Sequence, residues 1–307
     1  MPPVDGGAVA RWLWYAGIFA AVGAAVIRLV VYRGTRAAPD AAAVRDSAAR
    51  AARKLGFLGC GLILAAEALR LYFHARGFLD PDEALSASLV HQILRGTAWG
   101  TGWSAQVYVT LLLGIGLLLT RRRGRLGWTL SAVAAAGVAV TAPLTGHAMA
   151  SPWPVSIALP LQAFHILAGS LWLGTLFGLV VAGFTAVRSA APEHRTAVLA
   201  GVVNTFSPLA LTAAGCAILA GVILARGYVG SWAALAGSEY GRTLLIKIAV
   251  LLLVLALGAY NWRRMRPRMG DPATARLLRR SATTELALGA LLLAVTAALS
   301  ALPAPNM

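Results

Sequence analysis

The sequence predicts an all-α integral membrane protein, built as a bundle of eight transmembrane helices. Of its 307 residues, 59% are hydrophobic and only 12% are charged, whereas a soluble domain carries about a quarter charged residues. Eight apolar runs are long enough to cross a bilayer at about 20 residues each. The basic residues, 27 Lys plus Arg against 11 Asp plus Glu, cluster in the loops between these runs, a pattern that reports membrane topology. The composition excludes an ordinary cytosolic domain, and we expect no nucleic-acid partner.

The eight apolar runs give the predicted spans in chain order. They lie at residues 8–31, 55–73, 103–120, 126–144, 160–187, 204–225, 243–262 and 283–302. The first run is longer than the apolar region of a typical signal peptide and continues into Arg28 and Arg33, so we expect a retained helix. Because no convincing internal repeat or low-complexity linker is present, the sequence predicts a single integral membrane domain over residues 1–307.

A short amphipathic helix is predicted between the second and third spans. Asp80 and Pro81 form a helix-start signature, and Leu85, Leu89 and Ile93 then recur at helical spacing. We expect this helix to lie on the outer surface of the membrane.

The distribution of arginine predicts the orientation of the spans. The loops after the first, third, fifth and seventh spans carry most of the basic residues, with dense clusters in segments 121–125 and 263–268. Because basic loops are retained in the cytoplasm, we expect a multi-pass membrane protein with both termini outside the cytoplasm. An alternative role for the same clusters is contact with anionic membrane lipid or with a partner.

Neither nucleotide-driven pumping nor an enzymatic activity is indicated. The two lysines of the chain, Lys54 and Lys247, do not follow a glycine as the lysine of a phosphate-binding loop does. Transport by this chain would therefore proceed without ATP, and we expect no enzyme.

The candidate functional residues are the polar side chains inside or beside the spans, because a polar or ionisable group in hydrocarbon is costly. They come from three predicted helices and one loop, all at the outer level of the bundle. They are Glu67, Arg70 and His74; His147 and Met149; Gln162 and His165; and Tyr240, Arg242 and Lys247.

A metal site is predicted among these residues. Imidazole is the commonest metal ligand in proteins and suits copper, zinc and iron, and a thioether adds affinity for Cu(I). The spacing of His147 and Met149 in the loop TGHAMA suits two donors on one metal ion. His165, His74 and Glu67 are the further candidate ligands at the same level of the bundle.

Several candidates also have a purely structural interpretation. Glu67 and Arg70 are spaced to form an ion pair on one helix face. His74 at a helix end suits the membrane interface, and Lys247 could extend to the interface instead of acting in the bundle.

Three stretches in the second half of the chain carry a family pattern. They read FHILAGSLWLGTLFGL at 164–179, NTFSPLAL at 204–211 and YVGSWAALAGSEYGRTLLIK at 228–247, and NWRR follows at 261–264. In this order and spacing they resemble the bacterial copper resistance protein D (CopD/PcoD) family, with a CopD-like region over residues 160–302. Residues 1–140 resemble that family mainly in helix count and polarity.

The resemblance implies a protein of a bacterial inner membrane, so that both termini are expected to be periplasmic. It also implies a role in copper uptake and tolerance, often beside a periplasmic CopC-like copper carrier. It implies that His147 and His165 correspond to family histidines. The positions that match the family signature are Trp172, Tyr240, Gly241, Arg242 and Lys247.

Three functional hypotheses follow. The first is a copper transport protein that binds a copper ion at a periplasmic-side histidine site and passes it inward. The second is a b-type haem protein of electron transfer, in which histidines on facing helices ligate the iron axially. The third is a non-transporting membrane partner that only recognises a metallated carrier. An absorption spectrum separates the haem hypothesis from the other two, and copper flux into vesicles separates transport from recognition.

Overall fold

Long helices account for almost all of the protein. The computed structural model describes residues 6–80, 82–146, 149, 151–268 and 272–306. Within these residues, eight helices are long and apolar enough to cross a membrane, which confirms the fold class that the sequence predicts. They are α1 (Gly6–Gly34), α2 (Ala41–Arg76), α4 (Ala98–Leu119), α5 (Gly124–Thr141), α6 (Val155–Val187), α7 (Arg195–Val229), α9 (Glu239–Tyr260) and α10 (Pro272–Leu299), and two shorter helices are α3 (Ala87–Gly96) and α8 (Trp232–Gly237).

Two of the helices begin well before the apolar runs that predict them. α2 begins at Ala41 rather than near residue 55, and α7 begins at Arg195 rather than near residue 204. The added turns of α2 are rich in alanine, the residue with the highest helix propensity. Val44, Ala48 and Ala52 recur there at four-residue spacing and are buried against the core. These turns are therefore packed helix, although hydropathy alone assigned them to a loop.

The short helix α3 is present, but its predicted start was wrong. It begins at Ala87, and Leu85 lies before it with an exposed side chain. The N-cap is Ser86, whose Oγ accepts a hydrogen bond from the backbone N–H of Leu89 at 3.2 Å. A serine at this position satisfies an N–H that has no partner inside the helix, so Ser86 starts the helix instead of Asp80. Pro81 lies outside the described residues.

α1 is the central helix of the bundle and packs against α2, α5, α6, α7 and α10. Its closest approach to α6 is at Gly23 and Gly174, where a Cβ on Gly23 would overlap the Gly174 carbonyl oxygen. A Cβ on Gly174 would in turn come within 2.5 Å of the Phe19 carbonyl oxygen. Small residues let two helix backbones approach this closely in a membrane, so the α1–α6 contact depends on both glycines.

α6 is the irregular helix of the bundle. It contains Pro160, and it widens into π-helical turns at Ser170–Gly174 and Leu179–Gly183. Such turns re-aim the side chains that they carry and are frequent at functional sites. Trp172 lies on the first wide turn and is buried in the interior of the bundle.

The two ends of the bundle differ in composition. One end holds the start of α1, the end of α2 and the end of α10, and we call it the cavity end. The other end carries the arginine-rich connections, and we call it the arginine end. Asp40 joins two of these connections, because its Oδ2 accepts hydrogen bonds from Ala191 N at 3.0 Å and from His194 Nδ1 at 2.8 Å. The His194 hydrogen bond is the main cause of the lowered pKa of the Asp40 carboxyl.

Replacement of Gly23 by alanine tests the close packing of α1. We expect Gly23→Ala to lower the free energy of unfolding by about 1–3 kcal/mol, because the added methyl group is forced against the Gly174 backbone. Gly61→Ala on α2 is the matched control, since a Cβ there meets nothing within 4 Å. Thermal unfolding in detergent measures both variants. Equal stability of the two would contradict the packing described for α1 and α6.

Candidate functional site

A cavity of about 550 Å³ lies at the cavity end, between α1, α2, α6, α7, α9 and α10. We call it the polar cavity. Its polar lining comes from helices that are far apart in sequence. It includes Arg11, Tyr15, Arg70, His74, Gln162, His165, Tyr228, Tyr240 and Lys247. Six of the ten residues that the sequence singled out therefore line one space.

His165 is held in a defined orientation by the backbone of α7. Its Nδ1 lies 2.8 Å from the carbonyl oxygen of Ala217. Because a carbonyl can only accept, Nδ1 carries the hydrogen and Nε2 retains its lone pair. Gly221 leaves room for the ring, since a Cβ there would come 2.9 Å from His165 Cε1. A histidine that binds a metal through one ring nitrogen commonly donates the N–H of its other ring nitrogen to a carbonyl.

His74 lines the same cavity from the end of α2. Its ring stacks on Trp99 with 3.8 Å between centroids and 16° between planes. The edge of the ring faces Phe78 at a centroid distance of 5.3 Å. The aromatic neighbours fix the plane of this imidazole.

Glu67 and Arg70 form the ion pair that the structural interpretation predicts. Arg70 Nη1 donates to Glu67 Oε1 at 2.9 Å, and Glu67 is almost fully buried. Arg70 also donates to Gln106 Oε1 at 2.9 Å and to Thr145 Oγ1 at 2.5 Å, and its guanidinium lies over the Trp14 ring. Arg70 faces the polar cavity, whereas Glu67 is not among the residues that line it.

Gln106 and Arg11 are polar residues that sequence reasoning did not select. Gln106 is completely buried on α4, and its Nε2 donates to the carbonyl oxygen of Thr141 at 2.9 Å. Arg11 lies within the first predicted span, and Tyr15 follows it by one turn. The rule that an ionisable or polar group within a span is a functional candidate would have found Arg11 and Gln106.

The cationic side chains of the polar cavity outnumber their counter-ions. Arg11, Arg70 and Lys247 line it, and among the described residues no Asp or Glu does. Arg70 is paired with Glu67, but the described part of the chain gives Arg11 and Lys247 no salt bridge. Two like unit charges about 6 Å apart repel by roughly 3 kcal/mol at an effective dielectric constant of about 20. The cavity therefore favours an anion over a bare metal cation.

Besides Glu67, three of the predicted site residues are not placed in the polar cavity. Met149 is 40% exposed and does not line it. Arg242 is exposed near the start of α9. His147 lies outside the described residues. Across the described ranges, no group of three or more His, Cys, Asp and Glu side chains is placed to hold a metal ion.

Two further cavities continue from the polar cavity through the bundle. A middle cavity of about 200 Å³ shares His165 and Lys247 with the polar cavity. A third cavity of about 380 Å³, at the arginine end, shares Trp172 with the middle cavity and is lined by Glu285. The buried Glu285 accepts a hydrogen bond from Asn261 Nδ2 at 3.0 Å on Oε2. The three cavities lie along the contact between α6, α7, α9 and α10. Trp172 lies where the middle cavity meets the third cavity.

Removal of one partner of the buried ion pair tests its structural role. We expect Arg70→Met to lower the free energy of unfolding by about 3–5 kcal/mol, because it leaves the Glu67 carboxylate buried without a cation. The double variant Glu67→Gln/Arg70→Met removes both charges and should recover part of that loss. Thermal unfolding in detergent compares the two. A double variant no more stable than the single one would show that the ion pair is not what makes Arg70 necessary.

Two segments of the chain match models of related protein families. Residues 4–153 match the Copper resistance protein D-like, N-terminal domain, and residues 200–299 match Copper resistance protein D. The Copper transport protein CutJ of Bacillus subtilis (strain 168) is 27% identical over 228 residues, which are 72% of this chain and 40% of that protein. The chain thus spans about two fifths of the length of this relative. No solved structure matches the chain.

The two family matches together cover most of the chain, and they include the first half, where the sequence motifs were weakest. The eight apolar helices are those of a multi-pass membrane protein. The chain belongs to the copper resistance protein D family.

Proposed function

We propose that this protein transports copper across the bacterial inner membrane, and that it binds the ion in the polar cavity before passing it inward without ATP. The observation that carries the proposal is the geometry of His165. Its Nδ1 is occupied by the Ala217 carbonyl, so its Nε2 is available in a cavity within the membrane bundle. The family and the printed name of the CutJ relative support copper as the cargo.

The proposed copper ligands are His165 and His147, with His74 as a third nitrogen donor from the same cavity. Met149 and Glu67 remain candidates of lower rank. The exposed Met149 would bind copper before it enters the cavity. Glu67 would first have to leave Arg70, which would leave the buried Arg70 guanidinium without its counter-ion.

The proposed orientation places the cavity end in the periplasm and the arginine end in the cytoplasm. The support is the concentration of arginine in the loops at one end, the pattern of cytoplasmic loops. In this orientation a periplasmic CopC-like carrier is the proposed copper donor, and anionic lipid headgroups are the proposed contact of the arginine end. The series of three cavities gives the inward route, which passes Trp172 and reaches Glu285.

Replacement of His165 tests the binding site. We expect His165→Ala to weaken copper binding by about 100-fold or more, since it removes a nitrogen donor held in position by α7. His147→Ala should weaken binding as well. His91→Ala is the control, because His91 is exposed on α3 and does not line the polar cavity. Competition titration against a copper chelator measures the affinities, and unchanged binding in both site variants would contradict the proposed ligands.

Replacement of Glu285 tests the inward route. We expect Glu285→Gln to leave copper binding at the polar cavity unchanged and to slow copper flux into proteoliposomes about tenfold, because the carboxylate that receives the cation is lost. Glu239→Gln is the matched control, since Glu239 is exposed at the start of α9. Normal flux in Glu285→Gln would remove Glu285 from the route.

The same preparations separate the proposed function from the other two hypotheses. A Soret band in the purified protein would favour a haem protein, in which His165 and His74 are the candidate axial ligands. Copper binding without any flux into sealed vesicles would favour a membrane partner that recognises a copper carrier.

A further inference from the structure

Lys247 and Arg11 are cations without a counter-ion in the described part of the chain. Both line the polar cavity, and neither takes part in a salt bridge there. The Nε atom of Arg11 is buried and has no hydrogen-bond partner among the described residues. A cation inside a membrane bundle is costly unless an opposite charge or a set of hydrogen-bond acceptors meets it. The cavity therefore lacks an anion.

His165 lines the same polar cavity but suits a metal cation, whereas Lys247 and Arg11 suit an anion. Its Nε2 has a lone pair that suits a metal cation, and Lys247 lines both of the cavities that His165 lines. A bare copper ion next to His165 would be repelled by the two unpaired cations. A copper ion that keeps an anionic ligand would satisfy the histidine and the cations together.

From these contacts we propose that copper enters the polar cavity as a complex with a carboxylate. The copper ion binds to Nε2 of His165, while the carboxylate lies between Lys247 and Arg11. A carboxylate suits both partners, because a guanidinium binds it through two parallel hydrogen bonds and a mixed nitrogen and oxygen ligand set is favourable for Cu(II). This proposal rests on the proposed function and specifies its substrate.

The carboxylate has two possible sources, which share the same chemistry. It belongs either to a small copper chelate, such as copper citrate, or to an Asp or Glu side chain of a protein that delivers the metal. Asp5 of this chain lies outside the described residues and close in sequence to Gly6, which lines the cavity. The test therefore includes a variant of Asp5.

The experiment measures copper binding by the full chain at a fixed concentration of free Cu(II), with and without citrate. We expect citrate to tighten copper binding about tenfold or more in the unmodified protein, because the two ligands stabilise each other in one cavity. Lys247→Met should lose this effect, whereas Lys247→Arg should retain it in part. Lys54→Met is the matched control, because Lys54 is the other lysine of the chain and is exposed near the arginine end.

Two further arms identify the source of the carboxylate. A short amidated peptide that contains histidine and glutamate replaces citrate, and its glutamine counterpart serves as the control. Tightening by citrate indicates a small chelate, and tightening by the glutamate peptide alone indicates a delivery protein; both results support the proposal. Intrinsic fluorescence reports carboxylate binding without copper, because Trp14 and Trp99 line the cavity. Measured on the unmodified protein, this second readout does not depend on the folding of the Lys247 variants.

Two results would overturn the proposal and leave the proposed function intact. The first is copper binding by the unmodified protein that depends on His165 but responds to no carboxylate. The second is a carboxylate effect that appears only in Asp5→Asn, since the counter-ion of Lys247 would then belong to the chain itself. Copper binding that is unaffected by His165→Ala and His147→Ala would instead overturn the proposed function.

Discussion

An ionisable side chain inside a lipid bilayer is stable only where another polar group meets it, and this constraint organises the cavity end of the protein. Arg70 satisfies it fully, because Glu67, Gln106, Thr145 and the Trp14 ring surround its guanidinium. These contacts join α2 to α1, α4 and the turn after α5. Trp14, Arg70 and Thr145, which take part in these contacts, line one part of the polar cavity. Lys247, which also lines the polar cavity, has no such partner among the described residues. This difference separates a structural cation from one that is available to a ligand.

The central position of α1 makes this arrangement possible. Gly23 and Gly174 bring the backbones of α1 and α6 into contact, so that α6 can present His165 to the cavity and Trp172 to the interior about two turns apart on one helix. The π-helical turn at Ser170–Gly174 follows His165 along the helix and carries Trp172. A regular helix would repeat its faces every 3.6 residues, whereas the wide turn shifts the face on which Trp172 projects.

A positively charged cavity can hold a copper ion only if negatively charged ligands accompany the ion. Cations in the polar cavity would discriminate against free metal ions, including abundant ones such as magnesium, and would favour complexes that carry negative charge. The carboxylate of Glu285 at the far end of the cavity series has the opposite character. A copper ion that leaves its anionic ligand at Lys247 would therefore meet an attractive charge further along the proposed route.

The sequence alone determined the eight spans and the polar residues that lie at their ends, because hydrophobic length and the cost of charge in hydrocarbon are local properties of the chain. It also supplied the motifs at 204–211 and 228–247, which lie within the segment that matches Copper resistance protein D. It did not determine that α2 and α7 extend beyond their apolar runs, since those turns are stabilised by packing. The spacing of Glu67 and Arg70 on one helix already indicated their ion pair. Only the tertiary structure decided which polar residues of different helices are neighbours: Arg70 meets Gln106 of α4, while Lys247 shares a cavity with His165. These pairings depend on how helices distant in sequence are arranged around α1, and no local pattern encodes that arrangement.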